Sequence, residues 1–185
     1  MKPSRIAVSS LALVAALLAP VALTPAAPAQ AFPTIVIPTC AQMYTAKQWS
    51  SLFPAGMVLT SDTLTTGASN PRQAGIINGD VHRNCTWTDA KGRRSITVSV
   101  AWINIFEQRE IRAWYASNGI PLMGLGGGPA DFAVVPHPAP RVEHHYTGNM
   151  FFIAIDDRNF GSLGASMQFV LANVERLNPW MDVPS

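Results

Sequence analysis

The chain has 185 residues, with 13 Lys or Arg residues against 11 Asp or Glu residues and a formal net charge of +2. Two of the cations, Lys2 and Arg5, lie within the first five residues; without them, cations and anions balance at 11 each. A nucleic-acid-binding domain normally carries a basic stripe or a strong positive charge, so this class of function is excluded. The one locally basic stretch, residues 91–94, is interpreted as a solvated hairpin turn.

Residues 1–31 have the organisation of a secretory signal peptide. The basic start is followed by an apolar run, Ile6–Leu23, and then by Ala29-Gln30-Ala31, the small-x-small pattern that signal peptidase cleaves. Cleavage there makes Phe32 the first mature residue. Residues 32–185 then have the length of a single domain with a full apolar core. We therefore expect a secreted, extracellular protein.

Two alternatives to cleavage concern the same segment. An uncleaved membrane anchor is the first, but Pro20 and Pro25 interrupt an apolar run that is already near the minimum for a bilayer. A lipid anchor on Cys40 is the second, but the preceding Ile37-Pro38-Thr39 lacks the small residues that such processing needs. Membrane contact is thus expected only through an uncleaved signal segment.

Cys40 and Cys85 are the only cysteines, an even pair in an exported chain. This context predicts an intramolecular disulfide. A bridge across a loop of this length stabilises by about 4 kcal/mol in the chain-entropy description. A zinc or redox pair is the alternative, but there is no C-x-x-C motif, and two distant thiols make no structural zinc site.

The first predicted helix begins at Thr45, which has the spacing of a capping box with Gln48. It runs to about Phe53, where Pro54-Ala55-Gly56 stops it. A short strand is predicted over residues 57–60. The polar stretch 61–84 that follows is predicted to be irregular, and so long a loop in a compact domain is often functional.

A β-hairpin comes next. Residues 85–88 predict one strand and 89–92 a turn, and Ser95–Ile103 alternates apolar and polar residues with the period of a strand that has one buried face. Asn104 and Glu107 then form a second capping box. The helix that they begin is predicted to end at Ser117, before the left-handed stop Asn118-Gly119.

The second half is predicted to contain three strands, 131–135, 142–147 and 149–156, after a Gly-rich connection. Gly148 fits a tight connection between the last two strands. A final helix is predicted to start between Asn159 and Ser162 and carries one apolar stripe to Leu177. The order α-β-β-β-α-β-β-β-α indicates an α+β fold, a mainly antiparallel sheet covered by helices.

Glu143, His144 and His145 form the most suggestive cluster for metal binding or acid–base chemistry. Neighbouring strand residues point to opposite faces, so the two histidines cannot share one ligand set, whereas Glu143 and His145 can share a face. His137 could approach from the preceding loop. The histidines are interpreted as ordinary strand residues, and no metal or other cofactor is predicted.

Two other segments imitate ligand-binding motifs. Asp156-Asp157 could serve a cation, but Met167 occupies the position where a calcium loop has its glutamate, so the pair is interpreted as the start of the last helix. The glycine-rich residues 124–129 lack the Lys-Ser/Thr ending of a phosphate-binding loop and are interpreted as a turn. No catalytic residue is predicted.

Three stretches resemble a family of small exported proteins and lipoproteins of actinobacteria whose function is unknown. They are Pro38-Thr39-Cys40 leading into Thr45–Trp49, the Cys85-Thr86-Trp87 strand with its partner Ser95–Val100, and the closing helix 172–177. Related extracellular folds include PsbP-like domains of photosystems and sensor domains of bacterial receptor kinases. The resemblance implies an α+β binding module and supplies no catalytic residues.

The function expected from these observations is a secreted, non-catalytic module that binds a small ligand or an envelope or host protein. Its surface is expected to involve the 61–84 and 120–140 loops and the aromatic residues Trp102, Trp114 and Tyr115. A cell-envelope hydrolase with an unrecognised carboxylate or histidine site is the alternative. Converging titratable groups in a cleft would favour the hydrolase, whereas an apolar groove would favour binding.

Overall fold

The computed structural model describes residues 34–66, 81–124, 131–136, 142–158 and 163–182. The predicted signal peptide, 1–31, lies outside the described residues, and so do His137 and most of the glycine-rich segment 124–129. Within the described ranges, no helix is both long and apolar enough to cross a membrane.

The described residues form a seven-stranded antiparallel sheet with helices packed on both faces, which confirms the α+β class. The strands are β1 (Val58–Thr66), β2 (Val81–Thr88), β3 (Ser95–Trp102), β4 (Leu122–Gly124), β5 (Asp131–Pro136), β6 (Val142–Gly148) and β7 (Phe151–Arg158), and the helices are α1 (Ala46–Leu52), α2 (Ile105–Ser117) and α3 (Leu163–Leu177). In the sheet, the strands stand in the order β1-β2-β3-β7-β6-β5-β4.

One face of the sheet carries the larger apolar core. Helix α3 lies on this face, and α1 packs beside it together with a short 3-10 helix, Cys40–Gln42. The disulfide between Cys40 and Cys85 is present, as predicted, and joins the 3-10 helix to β2. Fully buried side chains on this face include Ile96, Val98 and Val100 of β3, Ile153 and Ile155 of β7, and Val170 and Val174 of α3.

Helix α2 covers the opposite face, where the core is smaller. Its Ile111 and Tyr115 pack on Phe152 and Ala154 of β7 and on Ala133 of β5. Strand β3 is consequently buried on both faces, so the prediction of a single buried face is wrong. The polar side of β3 contains small residues, and Ser99 is only 1% exposed because α2 lies over the sheet.

The helix boundaries follow the predicted local signals. Thr45 and Gln48 exchange the two hydrogen bonds of a capping box at the start of α1. Asn104 and Glu107 do the same at α2. Gly119 has φ 65°, the left-handed conformation that ends a helix and that glycine adopts at little cost.

The first two strands are longer than predicted. Residues 61–66 continue β1 and residues 81–84 begin β2, so the irregular segment predicted for 61–84 is wrong at both ends; residues 67–80 lie outside the described residues. β1 is an edge strand whose side chains are mostly exposed, and it therefore lacks the alternation that marks a strand with one buried face. The short edge strand β4 was also not predicted.

Two predictions about the second half need correction. The tight turn between β6 and β7 is formed by Asn149 and Met150, and Gly148 is the last residue of β6. Asp156 does not begin a helix, because β7 continues to Arg158. The Asp156 side chain is buried, and in the register of the two strands Asp156 lies opposite Glu143 of β6.

Candidate binding site

A cavity of about 340 Å³ opens beside the disulfide, on the α1 side of the sheet. It lies between the 3-10 helix, the first turn of α1 and the end of β2. Pockets of this size and apolar character are typical of small-molecule sites. Its lining consists of Cys40, Ala41, Tyr44, Ala46, Trp49 and Trp87.

Three aromatic rings form one wall of this aromatic cavity. The ring centroids of Trp49 and Trp87 are 5.1 Å apart, and Tyr44 lies 5.5 Å from Trp49 and 5.9 Å from Trp87. The Phe53 ring also packs against Trp49, with the two ring centroids 4.5 Å apart. Each ring is held by contact with the others, so the wall offers a preformed apolar surface with little side-chain freedom to lose on binding.

Hydrogen bonds from α3 hold the cavity wall in place. The Asn173 amide donates to the backbone carbonyl of Met43 at 3.1 Å and to Gln48 Oε1 at 2.9 Å. The Tyr44 hydroxyl lies 2.6 Å from Ser166 Oγ. The cavity therefore rests on three attachments: the disulfide to β2, the capping box of α1 and these contacts to α3.

A second, more polar cavity of about 550 Å³ lies at the β2–β3 hairpin turn. It is lined by Pro54, Ala55, Asp89, Arg93 and Arg94. Asp89 organises the turn, since its Oδ1 accepts the backbone N–H of Arg93 at 2.8 Å. Desolvation alone would raise the pKa of the Asp89 carboxyl, but hydrogen bonds from three backbone N–H groups of the turn outweigh it and lower the pKa.

A buried polar cluster lies on the other face of the sheet, beneath α2. The Tyr115 hydroxyl is 2.7 Å from His145 Nδ1, and His145 Nε2 is 3.2 Å from Glu143 Oε1. Burial, together with the negative charges of Glu143 and Asp131, raises the pKa of Tyr115 well above its usual value. The hydroxyl therefore keeps its proton and can donate it to His145 Nδ1.

This cluster resembles acid–base machinery in composition, but it is enclosed. Tyr115, His145 and Glu143 are 1%, 2% and 7% exposed, and neither of the two cavities contains any of them. His144 points to the opposite face, as predicted, and there its ring packs against Phe132, with the two ring centroids 5.3 Å apart. Burial and the neighbouring His145 lower the pKa of His144. Among the described residues, the cluster packs beneath α2 and lies outside both cavities.

The three aromatic residues predicted to bind ligand do not share one surface. Trp114 and Tyr115 are adjacent on α2, with ring centroids 5.4 Å apart, and Tyr115 is buried in the cluster just described. Trp102 belongs to the same face of β3 as Val98 and Val100, on the other side of the sheet.

The residues that line the aromatic cavity were not predicted. The sequence does contain a signal for them, because Tyr44 and Trp49 follow Cys40 closely and Trp87 lies two residues after Cys85. Pairing the cysteines brings these aromatic residues together.

The described residues contain one grouping of three potential metal ligands within reach of one another, namely Cys40, Asp62 and Cys85. Both cysteines are in the disulfide and offer no thiolate. This grouping is therefore not a metal centre in the oxidised protein.

Comparison of the chain with protein-family models, with curated protein sequences and with solved structures finds no match to any of them. The resemblance to an actinobacterial exported family stays a prediction.

Proposed function

We propose that the protein is an exported binding module that takes a small apolar or aromatic ligand in the aromatic cavity. The observation that carries the proposal is the contact of Trp49, Trp87 and Tyr44 around an open space of about 340 Å³. Rigid aromatic walls bind flat apolar groups with little loss of conformational entropy. The disulfide beside the cavity is typical of proteins in oxidising compartments, which supports export.

The arrangement of titratable groups supports binding over hydrolysis. A hydrolase needs its acid and base to meet in a space that the substrate can enter. Here Tyr115, His145 and Glu143 meet beneath α2, on the opposite face of the sheet from the aromatic cavity.

The test uses the disulfide-bonded, exported protein and a neutral aromatic probe, 2-naphthamide. We expect the probe to shift the NMR signals of the Trp49 and Trp87 indole N–H groups, and Trp49→Ala to weaken binding roughly tenfold, the loss of about 1.4 kcal/mol. Trp114→Ala is the matched control, since this tryptophan lies on α2, and it should leave the affinity unchanged.

The proposal fails if the probe shifts neither indole signal, or if Trp49→Ala binds as tightly as the unmodified protein. Thermal unfolding of both variants shows whether each is folded. Mass spectrometry of the same preparation reports the N-terminus, and a mass that still includes residues 1–31 would contradict cleavage of the signal peptide.

A further inference from the structure

The aromatic cavity and the polar cavity are lined by residues of the same two stretches of chain: α1 with the residues that follow it, and the end of β2 with the hairpin turn that follows it. Trp87 lines the first cavity and Asp89, two residues further along the chain, lines the second. Two residues of extended chain span about 7 Å. On the other side, Trp49 packs against Phe53, and Pro54 follows directly. The hairpin turn is thus reached from Trp87 along the chain after β2 and from Trp49 through Phe53, and the Asp62 carboxylate beside the disulfide is already paired with Arg83.

The charge of that neighbouring cavity is positive. Arg93 and Arg94 both line it and are both exposed, and Lys91 is in the same turn. Among the described residues that line it, Asp89 is the single anion, and its carboxylate accepts backbone N–H groups of the turn. Because residues 32–185 are formally neutral as a whole, this local excess of cations is a specific feature of the site.

We propose that the ligand of the aromatic cavity is an amphipathic anion. Its flat apolar body lies against Trp49 and Trp87, and one oxyanion, a carboxylate or a phosphate, pairs with Arg93 and Arg94. Guanidinium groups suit this role because their planar N–H donors match the oxygen pairs of such anions. The inference rests on the proposed function, since it assigns the chemical class of the ligand that the aromatic cavity takes.

The experiment compares two probes that share one aromatic body, 2-naphthoate and its neutral isostere 2-naphthamide. Both are titrated into the disulfide-bonded protein at low salt and followed through the Trp49 and Trp87 indole signals. We expect the carboxylate to bind about fivefold to tenfold more tightly, as for a partly exposed, charge-assisted pair. The preference should shrink in 1 M NaCl, where the Debye length falls to about 3 Å. Naphthyl phosphate in a parallel titration shows which oxyanion is favoured.

The double variant Arg93→Gln with Arg94→Gln should abolish the preference, so that 2-naphthoate and 2-naphthamide bind with equal affinity. Arg109→Gln is the matched control, because Arg109 is an exposed arginine on α2, and it should keep the preference. Trp49→Ala should weaken both probes equally.

The outcomes separate the two proposals. If 2-naphthamide binds and 2-naphthoate binds no more tightly, or if the double variant keeps the preference, the inference about the anion is overturned while the aromatic site stands. If neither probe shifts the two indole signals, both proposals fail.

Discussion

The turn between β6 and β7 places a methionine in the left-handed backbone region. Asn149 has φ 47° and Met150 has φ 64°, which makes a two-residue hairpin turn with both central residues at positive φ. Asparagine tolerates this conformation, whereas for methionine it costs roughly 1–2 kcal/mol. The Met150 side chain is 41% exposed, so packing recovers little of that cost.

Replacing Met150 with glycine should therefore stabilise the protein. We expect Met150→Gly to raise the free energy of unfolding by about 0.5–1 kcal/mol. The backbone strain that it relieves in the folded state is larger than the conformational entropy that glycine adds to the unfolded chain. Urea unfolding at constant temperature measures the change. Asn149→Gly in the same turn is the control and should have a smaller effect. A destabilised Met150→Gly variant would show that side-chain contacts of Met150 outweigh its backbone strain.

At the scale of elements, one side chain attaches the N-terminal segment to the end of α3. Asn178 is fully buried, and its amide nitrogen donates to the carbonyls of Val36 and Val174, each at 2.9 Å. Its Oδ1 accepts the N–H of Val36 at 2.8 Å. Asn178 thus connects two segments 142 residues apart in the sequence.

Asn178→Ala should lower the free energy of unfolding by about 2–3 kcal/mol, because it leaves several backbone groups without their hydrogen-bond partner. Asn118→Ala is matched in chemistry and position, since Asn118 follows α2 and its amide donates to the Trp114 carbonyl. Asn118 is exposed, and its loss should cost less than about 1 kcal/mol. Equal effects of the two variants in denaturant unfolding would contradict the attachment role.

Elements with local signals could be predicted from the sequence, and those decided by tertiary packing could not. The two capping boxes are complete within four residues, so the starts of α1 and α2 are correct. The extension of β1 was missed because an exposed edge strand shows no alternation of burial. Burial of Ser99 follows from α2 lying over the sheet, and no feature of the strand itself reports that contact.

At the scale of the whole molecule, the sheet joins two antiparallel halves. Strands β1–β3 follow one another in order, as do β4–β7, and the pairing of β3 with β7 unites them. That pairing joins segments that are distant in the sequence, and no local sequence pattern predicts it. The aromatic cavity has the same origin, since its walls come from residues 40–49 and from Trp87. The cysteine pair could be predicted, but the cavity forms only when the folded chain brings residues 40–49 against Trp87.

The disulfide should therefore control both stability and binding. Cys40 and Cys85 are 45 residues apart, and a bridge of that span stabilises by about 4 kcal/mol by restricting the unfolded chain. We expect the variant Cys40→Ala with Cys85→Ala to lose about that much free energy of unfolding in urea. It should also bind 2-naphthamide more weakly under conditions where circular dichroism shows the sheet intact, because the 3-10 helix loses its covalent attachment to β2.

Reductant provides the internal control for this prediction. It should destabilise the unmodified protein to the level of the double-alanine variant and leave the variant unaffected. An unmodified protein that keeps its free energy of unfolding and its affinity for 2-naphthamide after full reduction would overturn the argument. The expected result would mean that the binding site is complete only after oxidation, which links the function of the cavity to an oxidising environment.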